Sequence, residues 1–148
     1  MPVEDTQRMM EAYGEDLLGR GPYKRHFADD VRVTIVGTDK EARGPDAAER
    51  MIDHLHREAF DAHPELTNAI FAEGKALFEA LFVGKHVGEF AGIEATGREV
   101  RVPYCVVYDL EEEKLKALRL YFPMDVLMRQ LGVAPALGQP AEEETSPM

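Results

Sequence analysis

The main change in the spacing of apolar residues along this chain falls near Pro64. Before it they recur mostly at helical intervals. In "EDTQRMMEAYGEDLLGR", Met9, Met10, Tyr13 and Leu17 share one helical face, with Thr6 contributing at the start and Gly21-Pro22 at the end. In "PDAAERMIDHLHREAF", Ala48, Met51, Ile52, Leu55 and Ala59 form a second stripe, opened by Pro45 and Asp46. Between the two, Val31 to Val36 reads as a strand. Beyond Pro64, "LTNAIFAEG", "KALFEALFVG", "REVRVPYCVVYDL" and "LKALRLYF" read as strands separated by Gly74, a glycine-punctuated loop and "EEEK". "PMDVLMRQLG" closes as a short helix with Gly132 as its C-cap. Helix, strand, helix, four strands and a last helix predict an α+β fold, with helices packed on one face of a curved antiparallel sheet. One domain over 1–133 is expected, followed by a proline-bearing acidic tail, 134–148, expected to be mobile.

The charge excludes some partners. Twenty-eight acids against 17 bases leave a net charge of −11. Nucleic acid and anionic membranes both require a basic face, so neither is expected as a partner. The single cysteine, Cys105, allows no intrachain disulfide and no multi-cysteine metal site. "MPVEDTQRMM" lacks the basic start and apolar run of a signal peptide, and no apolar stretch reaches transmembrane length. The expected location is the cytoplasm.

The last two strands can be set against each other. A two-residue turn at Glu112-Glu113 pairs Glu111 with Lys114. Alternation then puts Tyr104, Val106, Tyr108, Ala117, Arg119 and Tyr121 on one face, and Cys105, Val107, Leu118, Leu120 and Phe122 on the other. The tyrosine face is expected to line a pocket. The second, apolar face is expected to be covered by a second copy of the chain, sheet on sheet. The alternative reverses the faces, with the tyrosines in solvent and the Cys105 side under the helices.

From Lys85 onward the chain carries His86, Gly88-Glu89-Phe90, Gly92-Ile93 and Thr96-Gly97-Arg98 in order, then Gln130-Leu131-Gly132. This series resembles the SnoaL-like polyketide cyclases of the nuclear transport factor 2-like superfamily. "HFADDV" and the "GPDA" that opens the second helix are weaker echoes, and the likeness covers about 8–133. The resemblance implies a cone-shaped fold around a hydrophobic cavity, a dimer, and ring closure by aldol chemistry. In that family an acid at the end of the last strand moves the proton and a histidine on the preceding strand assists. Here the matching positions hold Pro123 and Val106.

Two carboxylates remain as candidate catalytic groups. Glu79, inside "ALFEALF", is either a desolvated base with a raised pKa or an acid on the wetter face, paired to an arginine such as Arg119. Asp125 is either a displaced catalytic acid or a first-turn acid favoured by the helix dipole. His56 follows Ile52 by one turn and can reach the pocket. His54 and His56 diverge on a helix, so no metal is expected even with Asp53 and His63 nearby, and no cofactor motif appears. The expected function is binding of a small hydrophobic carbonyl compound, polyketide-like, with proton transfer leading to cyclisation or isomerisation. The alternative is a non-catalytic ligand-binding module.

Overall fold

The computed structural model describes residues 1–133, so the expected tail lies outside the described residues. Helix α1 (Val3–Leu18) leads through a 3-10 turn (Tyr23–His26) into β1 (Phe27–Ile35) and the short β2 (Glu41–Arg43). Helix α2 (Pro45–Asp53) runs on into a π-helical turn (His54–Glu58). Four long strands follow: β3 (Phe60–Ala72), β4 (Lys75–His86), β5 (Glu99–Glu111) and β6 (Lys114–Tyr121); α3 (Met124–Gln130) closes the order. The strands form one sheet in the order β2-β1-β6-β5-β4-β3.

The architecture is α+β, as expected, but the sheet differs from the sequence reading. The sheet is mixed, because β1 runs parallel to β6, pairing Val33 with Leu118 and Ile35 with Leu120. All other pairings are antiparallel. Strand β3 also begins earlier than expected, at Phe60, and carries Pro64 within it. A proline is tolerated there because β3 is an edge strand. Among the described residues no helix is long and apolar enough to cross a membrane.

The helices cover one face of the sheet. Met10 and Tyr13 of α1 and Ala48 and Ile52 of α2 are buried against Val33, Val106, Tyr108 and Leu118. A second cluster, Phe60, Phe82, Val100, Val102, Leu127 and Leu131, sits under α3, and Tyr104 packs against both clusters. Thr6 lies inside α1 rather than at its cap. Its buried hydroxyl donates to the Pro2 carbonyl at 3.2 Å and accepts the Gly74 N–H at 3.0 Å, tying α1 to the β3–β4 turn.

The "H…GEF…GI…TGR…QLG" residues form a clamp beneath α3. The His86 Nδ1 accepts the Thr96 N–H at 3.1 Å, and its ring stacks on Phe60 at 5.1 Å. The Arg98 guanidinium packs over Gly132, whose φ is +85°. Strand β5 outruns β6, whose last pair joins Cys105 to Tyr121, leaving the start of β5 without that neighbour. The Gln130 side chain takes that place: its Oε1 accepts the Arg101 N–H at 2.7 Å and its Nε2 donates to the Arg101 carbonyl at 2.9 Å. This pair of bonds fixes α3 on the sheet.

Gly88 holds the other end of this loop. Its N–H donates to the Ala59 carbonyl at 3.0 Å, and a Cβ there would run into the Glu58 carbonyl oxygen. Gly88→Ala is expected to destabilise the protein by about 2 kcal/mol, because backbone rather than a flexible side chain must yield. Gly14→Ala, in the middle of α1 with nothing within 4 Å of the added methyl, is expected to stabilise by about 1 kcal/mol through helix propensity. Urea denaturation of the two variants checks both signs.

Candidate functional site

The β5–β6 register decides what faces the helices. The turn at Glu112-Glu113 pairs Glu111 with Lys114 as expected, with both turn residues at positive φ. The register then shifts: Leu110 pairs with Leu115 but Asp109 with Ala117, so Lys116 is an extra residue on β6. Its ammonium is held by both carboxylate oxygens of Asp30 at 2.9 Å. From that bulge onward every side chain of β6 changes face relative to the simple hairpin.

Two expected pocket residues therefore sit elsewhere. Arg119 pairs with Val107 and Tyr121 with Cys105, on the face away from the helices. The Arg119 guanidinium donates to Asp109, and Tyr121 is 46% exposed. Leu118, Leu120 and Phe122, expected on the outer face, turn inward instead. Tyr104, Val106 and Tyr108 do face the helices, and His56 reaches the same space. The sequence held the signal for the bulge. Inward apolar residues alternate strictly along β5, but along β6 Leu115 and Leu118 are three apart before alternation resumes at Leu120 and Phe122.

The two carboxylate candidates also lie outside this space. Glu79 pairs with Cys105 on the outer face, is exposed, and accepts the Asn68 amide at 3.1 Å. Alternation puts it there because its neighbours Phe78 and Ala80 point to the helices. Asp125 is exposed in the first turn of α3 and pairs with Arg129 at 3.2 Å.

Between sheet and helices lie adjoining apolar pockets. One, a narrow space of about 40 Å³, is lined by Phe60, Phe82, Phe90, Phe122, Met124 and Leu127, among others. A second, about 70 Å³, runs under α1 and α2 between Tyr13, Val33, Ile52, Val106, Tyr108 and Leu118. Both are lined by Leu55, His56, Tyr104 and Leu120, which form a neck between them. Both are narrow spaces rather than open chambers.

The polar groups at the neck are His56 and Tyr104. The His56 Nδ1 lies 2.8 Å from the Ile52 carbonyl oxygen, which can only accept, so Nδ1 carries the proton and Nε2 has a free lone pair. That Nε2 is sealed from solvent and has no hydrogen-bond partner. Burial pushes the His56 pKa below the usual histidine value, against the weaker pull of the Ile52 hydrogen bond and the Asp53 charge. Burial also pushes the Tyr104 phenol well above its usual range, so it stays a neutral donor. The π-helical turn sets where His56 sits, since it departs from the α-helical path begun by α2. Sequence periodicity carried no sign of that departure. Among the described residues the one other buried side-chain nitrogen without a partner is His86 Nε2, in the clamp under α3. No group of three His, Cys, Asp or Glu side chains among the described residues converges as a metal site.

A curved mixed sheet, helices on one face and apolar space between them define a nuclear transport factor 2-like fold. The family model described as SnoaL-like polyketide cyclase matches residues 7–131, and the chain belongs to that family. No curated protein sequence matches it. A putative SnoaL-like polyketide cyclase from Jannaschia sp. CCS1 superposes with TM-score 0.80 at 16% identity, over 91% of this chain and 97% of that one. A protein with a ketosteroid isomerase-like fold from Catenulispora acidiphila, solved with trimethylamine, gives 0.70 at 18% identity, over 91% and 99%. An LEH-like epoxide hydrolase from M. tuberculosis gives 0.68 at 14% identity, over 87% and 90%. At these identities the likeness is one of fold.

Removing the unpaired nitrogen should help stability. His56→Leu is expected to keep the neck filled and to raise unfolding free energy by about 1 kcal/mol. The His56 pKa is lower in the folded state, so the unfolded chain binds this proton first as pH falls. The associated stability is complete above about pH 6.5 and is lost as pH drops toward the folded pKa, at no more than about 1.4 kcal/mol per unit. Denaturant titrations from pH 7.5 to 5 should show a shallower decline in His56→Leu than in the wild type. Parallel declines would contradict this assignment.

Proposed function

We propose that the neck and its two pockets bind a small, largely apolar carbonyl compound, polyketide-like, and that His56 and Tyr104 act on it. The observation that carries the reading is the unpaired, sealed Nε2 of His56. A buried basic nitrogen without a partner costs stability, and retaining one is expected where it meets a bound ligand. Apolar walls with few convergent polar groups suit such a ligand. Family membership and the likeness to an epoxide hydrolase and a ketosteroid isomerase-like fold support a cyclase- or isomerase-type role.

In this reading Nε2 removes a proton from the carbon beside the carbonyl while the Tyr104 hydroxyl donates to the carbonyl oxygen. The imidazolium formed is stabilised by the enolate beside it, and the proton returns at another carbon or the enolate closes a ring. Pro123 and Val106, standing where family cyclases hold an acid and a histidine, favour a second reading in which the same groups only hold the ligand. Proton exchange separates the two. With methyl 2-naphthyl ketone as probe in deuterated buffer, NMR should show the α-methyl protons exchanging faster with wild-type protein. Tyr104→Phe should slow this by about 100-fold and His56→Gln by more, while Glu79→Gln and Asp125→Asn should match the wild type. Binding without exchange would establish the holding role instead.

We also propose a homodimer through the outer face of the sheet. Ile70 is 54% exposed there, with Leu77, Cys105 and Val107 half-buried around it. Light scattering should give twice the 16.6 kDa chain mass at micromolar concentration, and Val107→Asp should return it to the monomer value.

A further inference from the structure

A third space reaches His56 from a different side. It is a narrow space of about 20 Å³ between the end of α1, the π-helical turn and the start of β3, and shares Leu17, Ile52 and His56 with the pocket under α1 and α2. Unlike the inner pockets, its wall carries charge: Arg20, Asp53, Arg57 and His63. Two arginines and one aspartate line it, with Asp61 outside it beside Arg20. The charges of both arginines also act on His56, opposing its protonation.

Neither arginine is firmly committed. Arg20 pairs with Asp61 at 2.9 Å, with both side chains largely in solvent. Arg57 lies 3.7 Å from Asp53, beyond hydrogen-bond length. Asp53 has a better partner, because the buried Tyr23 hydroxyl donates to its Oδ1 at 2.6 Å. The exposed Arg20–Asp61 pair contributes little, so exchanging it for a ligand carboxylate costs little, and Arg57 makes no hydrogen bond to Asp53 that would be lost. A guanidinium offers a carboxylate two parallel donors, and a site screened from water on its inner side strengthens the contact.

We propose that this space is the mouth of the binding site and that Arg20 and Arg57 select ligands carrying a carboxylate at one end of an apolar body. The carboxylate stays at the mouth while the body passes His56 into the inner pockets. The inference rests on the reading of those pockets as the binding site.

Calorimetry with two probes of one shape tests it: 2-naphthoate, and methyl 2-naphthyl ketone, which lacks the charge. Wild-type protein should bind the naphthoate at least about tenfold more tightly, the scale of one charge-assisted hydrogen bond. That preference should shrink as salt rises. Arg20→Gln/Arg57→Gln should lose the preference and keep its affinity for the ketone within about twofold, while Arg57→Lys should retain part of it. Circular dichroism confirms that the surface variants are folded. Equal binding of the two probes by the wild type, or a preference that survives in the double variant, overturns the mouth and leaves the pocket reading standing. Failure of both probes to bind the wild type overturns both.

Discussion

The one-residue bulge at Lys116 governs which chemistry faces the helices. Side chains on a strand alternate with period two, so one extra residue exchanges the faces of everything beyond it. Without it, Arg119 would enter the apolar space beneath α1 and α2, and Leu118 and Leu120 would leave it. With it, Arg119 joins Asp109 and Lys75 on the outer face, where Asp109 bridges both cations and its carboxyl stays below the usual range despite partial burial. The inner face becomes Leu118, Leu120 and Phe122 against Tyr104, Val106 and Tyr108. The ion pair between Lys116 and Asp30 lies beside the bulge and ties β6 to β1.

The residues that carry the family likeness do structural work. His86, Thr96, Arg98 and Gly132 form a contact chain from the end of β4 to the end of α3, and Gln130 supplies the hydrogen bonds β6 is too short to give. This clamp holds α3 over the aromatic pocket, so Met124 and Leu127 can act as its wall. A motif of this kind reports the fold rather than the reaction. Relatives with different chemistry can therefore share it, since fold and activity are separate inferences.

The proposed site follows from what the fold leaves unsatisfied. An apolar space bounded by a π-helical turn contains one lone pair with no partner and one phenol held neutral by burial. Such an arrangement sacrifices stability for a group that is ready to accept a proton or a hydrogen bond. The neighbouring arginines lie outside the apolar space, where water and carboxylates screen them, so a charged end and an apolar body could be served by separate walls.

The change of hydrophobic period, the helix stripes and the strand alternation determined the α+β class and most of the elements, because burial of one face imposes those spacings on any sequence. They also brought Tyr104, Val106, Tyr108 and His56 to the helix-facing side. Tertiary structure alone decided three matters. Parallel pairing of β1 with β6 depends on contacts nearly 90 residues apart, which no local window records. The bulge needed a partner strand before its extra residue had meaning, even though the Leu115–Leu118 spacing hinted at it. The placement of Glu79 and Asp125 outside the apolar space, and of the unpaired His56 nitrogen within it, depended on strand face and on a departure from the α-helical path. A carboxylate between apolar neighbours reads as buried in sequence, yet in a sheet those neighbours point one way and the acid the other.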